Sequence, residues 1–269
     1  MEDILKRITG KTVLATNARD EPAIREWVKY HLMTGWDYLL IYDHLSKVPI
    51  HDLVKNDRVF TFRVNDPEPP IKHKLMKAAK NIVKKHHAKW FAYIDADEYI
   101  VFDGGIGAHT YLQRFDANVG QVLLHWHMFG SSGHVVQPSG GLVNNFTRAA
   151  RELHTHVKTI VRVAAIRGMR SAHVWNVKEP YLSVNASGVV LPSPEPDIGP
   201  ANPPRQAAWV NHYFVMSETV YRARKEDRPM DDAGRMRGKS SSEQIHSWFN
   251  DVEDLTLKNM WGHKLLQKD

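Results

Sequence analysis

Apolar and polar positions along this chain fall in blocks whose period switches between that of a strand and that of a helix. KTVLATN (11–17) is a short β-rich run, and the polar ARDEP (18–22) after it reads as a turn, with Pro22 suited to a first helical turn. Ile24, Trp27, Val28, His31 and Leu32 follow at i, i+3, i+4, i+7 and i+8, one face of an amphipathic helix that Gly35 closes. YLLIYD (38–43) and RVFTFRV (58–64) read as buried strands, IKHKLMKAAKNIVKKHH (71–87) as a helix and KWFAYID (89–95) as the next strand. This β-α-β-β-α-β order predicts an α/β layered sheet with mostly parallel strands.

Beyond residue 103 the rhythm changes. GGIGAHTYLQRF holds a short helix, QVLLHWHMF (121–129) is a strand with a histidine face, and FGSSGH (129–134) is a turn. VKTIVRVAAI (157–166) and AWVNHYFVM (208–216) are further strands, separated by a proline-rich stretch (192–204) that reads as an irregular loop. SETVYRARKEDR opens with a serine suited to cap a helix, and the tail SSEQIHSWFNDVEDLTLKNM reads as helical and amphipathic. The expected organisation is one domain over 1–228 with a helical extension, 229–269, packed on it.

The chain has 269 residues, 42% hydrophobic and 25% charged, the balance of a folded globular protein. With no cysteine, disulfides, zinc–thiolate sites and thiol nucleophiles are excluded. No apolar run is long enough to span a bilayer and no signal-peptide core is visible, so a cytoplasmic protein is expected. The formal charge of +6 favours anionic partners. No G-x-x-x-x-G-K-[ST] phosphate loop is present, and GGIGAH is an incomplete G-x-G-x-x-G.

WFAYIDADEYIVF (90–102) carries the sharpest chemical signal. Buried carboxylates are costly unless paired, hydrogen-bonded or bound to a cation. Residues i and i+2 of a strand point to one side, so Asp95 and Asp97 are expected to face one cleft and Ala96 the other side, at the carboxyl end of a strand where open α/β sheets bind ligands. Such paired oxygens suit a hard cation, Mg²⁺ or Mn²⁺, carrying substrate phosphates. Solvated acids in a strand-to-loop turn are the alternative.

Four segments together resemble a GT-A glycosyltransferase of the family-2-like and family-92-like group. REWVKYHLMTGWDYLLIYDH (25–44) is similar to that group's E-W-x-x-x-H-x-x-x-G-x-D…I-Y-D-N, and WFAYIDADEYI (90–100) to its W-x-x-x-x-D-x-D-E-F. HMFGSSGH (127–134) followed by VKTIVR, and VNHYFVMSETVYRARKEDR (210–228), complete the set. The chain departs from the pattern at Thr16-Asn17-Ala18-Arg19, where the group has Lys-Asn-Glu, at SKVPI (46–50), which lacks an acid, and at Met216, where the group has Lys.

The resemblance implies a GT-A-type, Rossmann-like fold: a mixed, mostly parallel sheet flanked by helices, with C-terminal helices. It implies transfer, with inversion, of a sugar from a UDP- or GDP-linked donor to a glycan or glycoconjugate acceptor, and no specific nucleic acid. Thr16, Asn17 and Asp43 would line the nucleoside end, with Asp95 and Lys158 toward ribose and phosphate. Asp97 would bind Mn²⁺ or Mg²⁺, with His212, Asp95 or His173 as further ligands. Gly130, Ser131, Ser132 and His134 would lie near the transferred sugar or acceptor. Glu98, Glu152 and Glu179 are the candidates for the base, although Glu98 should point away from Asp97. Two other classes stay open: a metal-dependent phosphoesterase or nuclease, and a non-catalytic binder of nucleic acid or glycan working through the lysine-rich helix at 71–89.

Overall fold

The computed structural model describes residues 5–66, 70–192, 195 and 207–267. Most of the proline-rich stretch lies outside the described residues. Among the described residues nine strands form the main sheet: β1 (Thr12–Ala18), β2 (Tyr38–His44), β3 (Val59–Val64), β4 (Trp90–Tyr93), β5 (Glu98–Phe102), β6 (Val119–Met128), β7 (His154–Arg162), β8 (Leu182–Asn185) and β9 (Ala208–His212). Their order is β3-β2-β1-β4-β7-β6-β9-β5, with β8 also pairing β6. The first four pair parallel in the order 3-2-1-4, the order with which a doubly wound sheet begins. β7 runs antiparallel to both β4 and β6, and β5 antiparallel to β9. The sheet is therefore mixed and mostly parallel. The carboxyl ends of β1, β2, β4, β6 and β9 meet the amino ends of β5 and β7 along one edge.

Alternation along the strands sends side chains to two cores. Leu14, Leu39, Ile41, Trp90 and Ala92 face one cluster with helix α1 (Ile24–Met33), while Val13, Leu40, Phe91 and Tyr93 face the other with α2 (Lys72–Lys85). α2 inserts Leu75, Met76, Ala79 and Val83 and leaves most of its lysines outward, the ordinary solvated face of an amphipathic helix. Further on come α3 (Ala108–Leu112), α4 (Glu218–Tyr221, widening into a π turn over Arg222–Glu226) and α5 (Ser242–Ser247). The Ser217 hydroxyl caps α4 by accepting from the Val220 N–H, as its sequence position predicts.

The tail is not one helix. α5 stops at Trp248, Phe249 takes a left-handed backbone (φ 56°), and Val252–Glu253 pairs with Arg148–Ala149 before a last helical segment. Leu257 joins the first core, with Met260, Trp261 and Leu265 packed against it. An amphipathic period survives such a break because each short piece still has an apolar side to bury. No helix among the described residues is long and apolar enough to cross a membrane.

Candidate active site

A cleft of about 540 Å³ lies along the strand-end edge. Asn17 and Ala18 enter it from the end of β1, His44 from β2, Asp95 and Asp97 from beyond β4, Trp126 and Met128 from β6 and His212 from β9. Lys72 opens α2 beside it, and Arg224, Lys225 and the segment 228–232 close the other side.

The acids sit on a turn rather than on strand pleats. β4 ends at Tyr93, and the Glu98 N–H donates to the Asp95 carbonyl (3.0 Å), folding Asp95-Ala96-Asp97-Glu98 back so that Glu98 opens β5. Both aspartates still face the cleft, though not by the strand alternation that the sequence suggests. Behind the turn stands the motif of the first helix. The Trp27 Nε1–H donates to the Glu98 carbonyl (2.9 Å), and the Tyr30 hydroxyl to the Ile100 carbonyl (2.8 Å). His31 donates from Nδ1 to the Trp27 carbonyl and accepts the Ile100 N–H at Nε2. Burial pushes His31 down to about 3, so it stays neutral and keeps that acceptor. The E-W-x-x-x-H spacing therefore fixes β5 and the acidic turn; it does not supply chemistry. Glu26, from the same motif, accepts from the Tyr99 hydroxyl and from the N–H groups of Leu142 and Val143. Gly141 (φ +83°) is needed there, since a Cβ would sit 1.6 Å from Glu26 Oε2.

Each aspartate is held by two cations. Asp95 pairs with Lys72 (2.5 Å) and Lys158 (3.3 Å). Asp97 Oδ2 pairs with Lys225 (2.9 Å) and Arg224 (3.1 Å). Burial alone would raise both carboxyls. The ammonium and guanidinium charges outweigh it, leaving Asp95 and Asp97 well below the usual carboxylate range and ionised. Glu98 is the opposite case: burial raises it, and Lys158, 3.5 Å away, offsets only part. Its Oε2 accepts the Asp95 N–H (2.8 Å). Glu98 does not point clear of the acidic turn, as strand alternation would require. It lies opposite His212 in the β5–β9 register, with Oε1 3.9 Å from His212 Nδ1.

His212 Nε2 lies 3.5 Å from Asp97 Oδ1, and neither atom has a hydrogen-bond partner among the described residues. Both residues are almost wholly buried. At 3.5 Å the two form an ion pair too long for a good hydrogen bond, so both atoms keep capacity for a further partner at the cleft. A Mg²⁺- or Mn²⁺-sized ion fits this pair, because such ions take one or two protein groups and complete their shell with phosphate oxygens and water. Among the described residues no group of three or more His, Asp or Glu is assembled for a metal. Any ion here must therefore take most of its ligands from outside the protein.

The remaining expected residues divide. Asn17 lines the cleft, donating to Asp231 (2.9 Å) and accepting from the Tyr93 hydroxyl (3.0 Å). Lys158 reaches the acids from β7, its ammonium 5.8 Å from the Trp126 ring centre. His173 stands on the cleft wall, but its Nδ1–H is given to the Val157 carbonyl, and burial followed by Lys158 pushes it down to about 3. Thr16 is fully buried, with its hydroxyl on the Asn17 carbonyl. Asp43 accepts from the N–H groups of Ser46 and Ile50 and pairs with Arg63, and it does not line the cleft. Gly130, Ser131 and Ser132 pack against the C-terminal segment, where the Ser131 hydroxyl meets His246 Nδ1 (2.7 Å) and the Ser132 N–H donates to Asn250, while His134 turns to the Asn145 carbonyl and the Phe146 ring. Glu152 and Glu179 are exposed and away from the cleft.

Sequence reading missed Glu21, Lys72, Arg224, Lys225, Trp126 and Asp231 as cleft residues. The RARK run after His212 was the available signal, since two adjacent cations at a helix end can both reach one acid only where the helix widens, as it does over Arg222–Glu226. Trp126 gathers four imidazoles, of His154, His156, His173 and His212, with ring centres 4.6–6.2 Å away. Its Nε1–H has no partner among the described residues.

No family model matches the chain. It is similar in sequence to proteins named glycosyltransferase family 92. It is 27% identical over 195 residues to one from Oryza sativa subsp. japonica, covering 67% of this chain and 31% of that one. For one from Arabidopsis thaliana the figures are 24% over 178 residues, 59% and 30%. For one from Ricinus communis they are 23% over 221 residues, 75% and 34%. The chain thus spans about a third of the length of the curated relatives it matches. Among solved structures, S. aureus TarS 1–349 superposes with a TM-score of 0.34 at 16% identity, covering 58% of this chain and 48% of that one. The same protein in complex with UDP-GlcNAc gives 0.34 at 16% identity, covering 58% and 46%.

Proposed function

We propose that this protein transfers a sugar from a nucleoside-diphosphate sugar to a hydroxyl acceptor, with the reacting diphosphate bound between the acidic turn and the cations around it. The observation that carries the reading is the facing, unsatisfied pair Asp97 Oδ1 and His212 Nε2 in a cleft at the carboxyl ends of parallel strands. The similarity to family 92 glycosyltransferases supports the same class.

Asp97 and His212 would hold Mn²⁺ or Mg²⁺. Bound there, such an ion supplies Lewis-acid stabilisation of the charge on the departing diphosphate. The chain's own cations do the rest. Lys72, Lys158, Arg224 and Lys225 are fixed by Asp95 and Asp97 before any ligand arrives, so a diphosphate meets pre-oriented N–H donors. Asn17 and the segment around Asp231 mark the nucleoside end, and Trp126 with its imidazoles offers the flat apolar face on which a sugar ring stacks. Glu21 also lines the cleft. Burial raises its carboxyl to about 7, Arg224 offsetting only part, which is the range a general base for the acceptor hydroxyl needs.

A two-metal phosphoesterase requires a denser set of carboxylates and imidazoles than the pair described. The lysines of α2 are the ordinary outer face of a packed helix, apart from Lys72, which turns into the cleft.

The test is a donor panel. UDP- and GDP-linked sugars, each with and without Mn²⁺, are incubated with the protein and the release of free nucleoside diphosphate is followed. At least one donor should turn over in the presence of the ion, and Asp97→Asn should abolish that turnover. Release that is indifferent to Asp97→Asn across the panel would remove the proposal.

A further inference from the structure

A second cavity, of about 480 Å³, opens on the far side of Arg224, between the start of α1, the loop after β2 and helix α4. Its walls are apolar, from Pro22, Ile24, Ile50, Leu53, Val220 and Ala223. None of these six has a role in the cleft. The volume falls within the range of small-molecule pockets, and an apolar wall with a few polar groups at one end is their usual make-up.

The polar end carries Asp20, Glu21, Lys47, Arg224 and Arg228. Asp20 is already used: its carboxylate accepts the Lys47 N–H (2.7 Å) and pairs with Arg228 (3.0 Å). Glu21 Oε2 is used by Arg224 (2.7 Å), and its Oε1 has no partner among the described residues. The Lys47 ammonium has no carboxylate partner among the described residues. Arg228 is matched by Asp20, and Arg224 by Glu21 and Asp97, so the cation left unmatched at the rim is the Lys47 ammonium. The complement of such a pocket is an apolar body with one anionic end. A bilayer is a poorer fit, because the exposed apolar side chains near the rim are three valines, Val48 and the neighbours Val135 and Val136, with the Val135 carbonyl accepting the Thr219 N–H on the cavity wall.

We propose that this cavity binds a free amphipathic anion, an alkyl-bodied monophosphate, with the chain against Ile24, Ile50, Leu53 and Val220 and the phosphate at Lys47 and Arg228. Arg224 stands between the two cavities, 2.7 Å from Glu21 and 3.1 Å from Asp97, and Glu21, Arg224 and Arg228 line both. The inference concerns binding alone and stands whether or not the cleft transfers sugars.

The test is isothermal titration of the full chain with n-octyl phosphate below its micelle concentration. n-Octyl glucoside is the uncharged match, inorganic phosphate the head group alone, and phosphatidic acid vesicles the membrane form. Saturable one-to-one binding of octyl phosphate is expected, about tenfold or more tighter than either the glucoside or inorganic phosphate. Ala223→Trp fills the cavity and should abolish this binding while circular dichroism and melting stay native-like. Lys47→Glu, on the surface and tolerant of change, should weaken it about tenfold, which keeps the test decisive if the tryptophan variant does not fold. No saturable binding overturns the proposal, as do equal affinity for the glucoside, unchanged affinity in both variants, or binding only to vesicles.

Discussion

Asp43 and Asp97 make an instructive pair. Each follows an apolar stretch near the carboxyl end of a parallel strand, each is nearly inaccessible to solvent, and sequence logic assigns a binding role to both. Asp43 has spent its acceptors on two loop N–H groups and Arg63, and burial is outweighed by these bonds so that it titrates below its ordinary value. Asp97 has committed one oxygen to Arg224 and Lys225 and left the other facing His212 without a hydrogen bond. What separates a structural carboxylate from a poised one is therefore unused hydrogen-bonding capacity, not burial or position.

The largest expected effect tests this contrast directly. Asp97→Asn should lower donor turnover by roughly 100-fold or more. Asp43→Asn, at the same kind of position, should leave turnover per folded molecule within a few-fold. The second effect is on stability: Asp43→Ala strips two buried N–H groups and Arg63 of their partner and should cost about 2–4 kcal/mol in chemical denaturation. Equal stability losses for the two aspartates, with equal activity losses, would erase the distinction.

Lys225→Ala should act less strongly. One of the two cations on Asp97 Oδ2 is lost, and nucleoside-diphosphate affinity should fall by about tenfold, measured by calorimetry at fixed salt. The smallest effect concerns Glu21. Its folded-state value is raised above the unfolded one, from 4.5 to about 7, so its contribution to stability is complete below 4.5 and is lost as pH rises through 7. Glu21→Gln should flatten the decline in stability across that window, read from melts at several pH values.

Much of the architecture was legible in sequence because period and burial agree in the first half. The strands at 12–18, 38–44 and 59–64 and the helices at 24–33 and 72–85 fall where their apolar spacing predicts. β5 was not legible. EYIVF continues the apolar run of β4, and only the turn at Asp95–Glu98, invisible as a period, splits them and reverses the chain. Of the residues that the motifs single out, Asn17, Asp95, Asp97, His173 and His212 line the cleft, and Lys158 meets Asp95 and Glu98 from beneath it. The Gly130–His134 segment was named from the same context and packs elsewhere, since Ser131 and Ser132 are taken by His246 and Asn250 from the tail. Partners more than a hundred residues away decide that outcome, and no local pattern encodes them. Glu21 and Arg224 were missed for the same reason: their meaning lies in an ion pair linking the loop after the first strand to the π turn that extends α4.

In the proposed reaction Asp97 and His212 form the protein's half of a cation site that engages a nucleoside diphosphate. Its most direct test is thermodynamic linkage: UDP and GDP titrated into the protein with and without Mn²⁺, in wild type and in His212→Ala. The account predicts that Mn²⁺ tightens binding of one nucleotide by about tenfold or more and that this coupling disappears in the variant. Coupling of the same size in His212→Ala would contradict it.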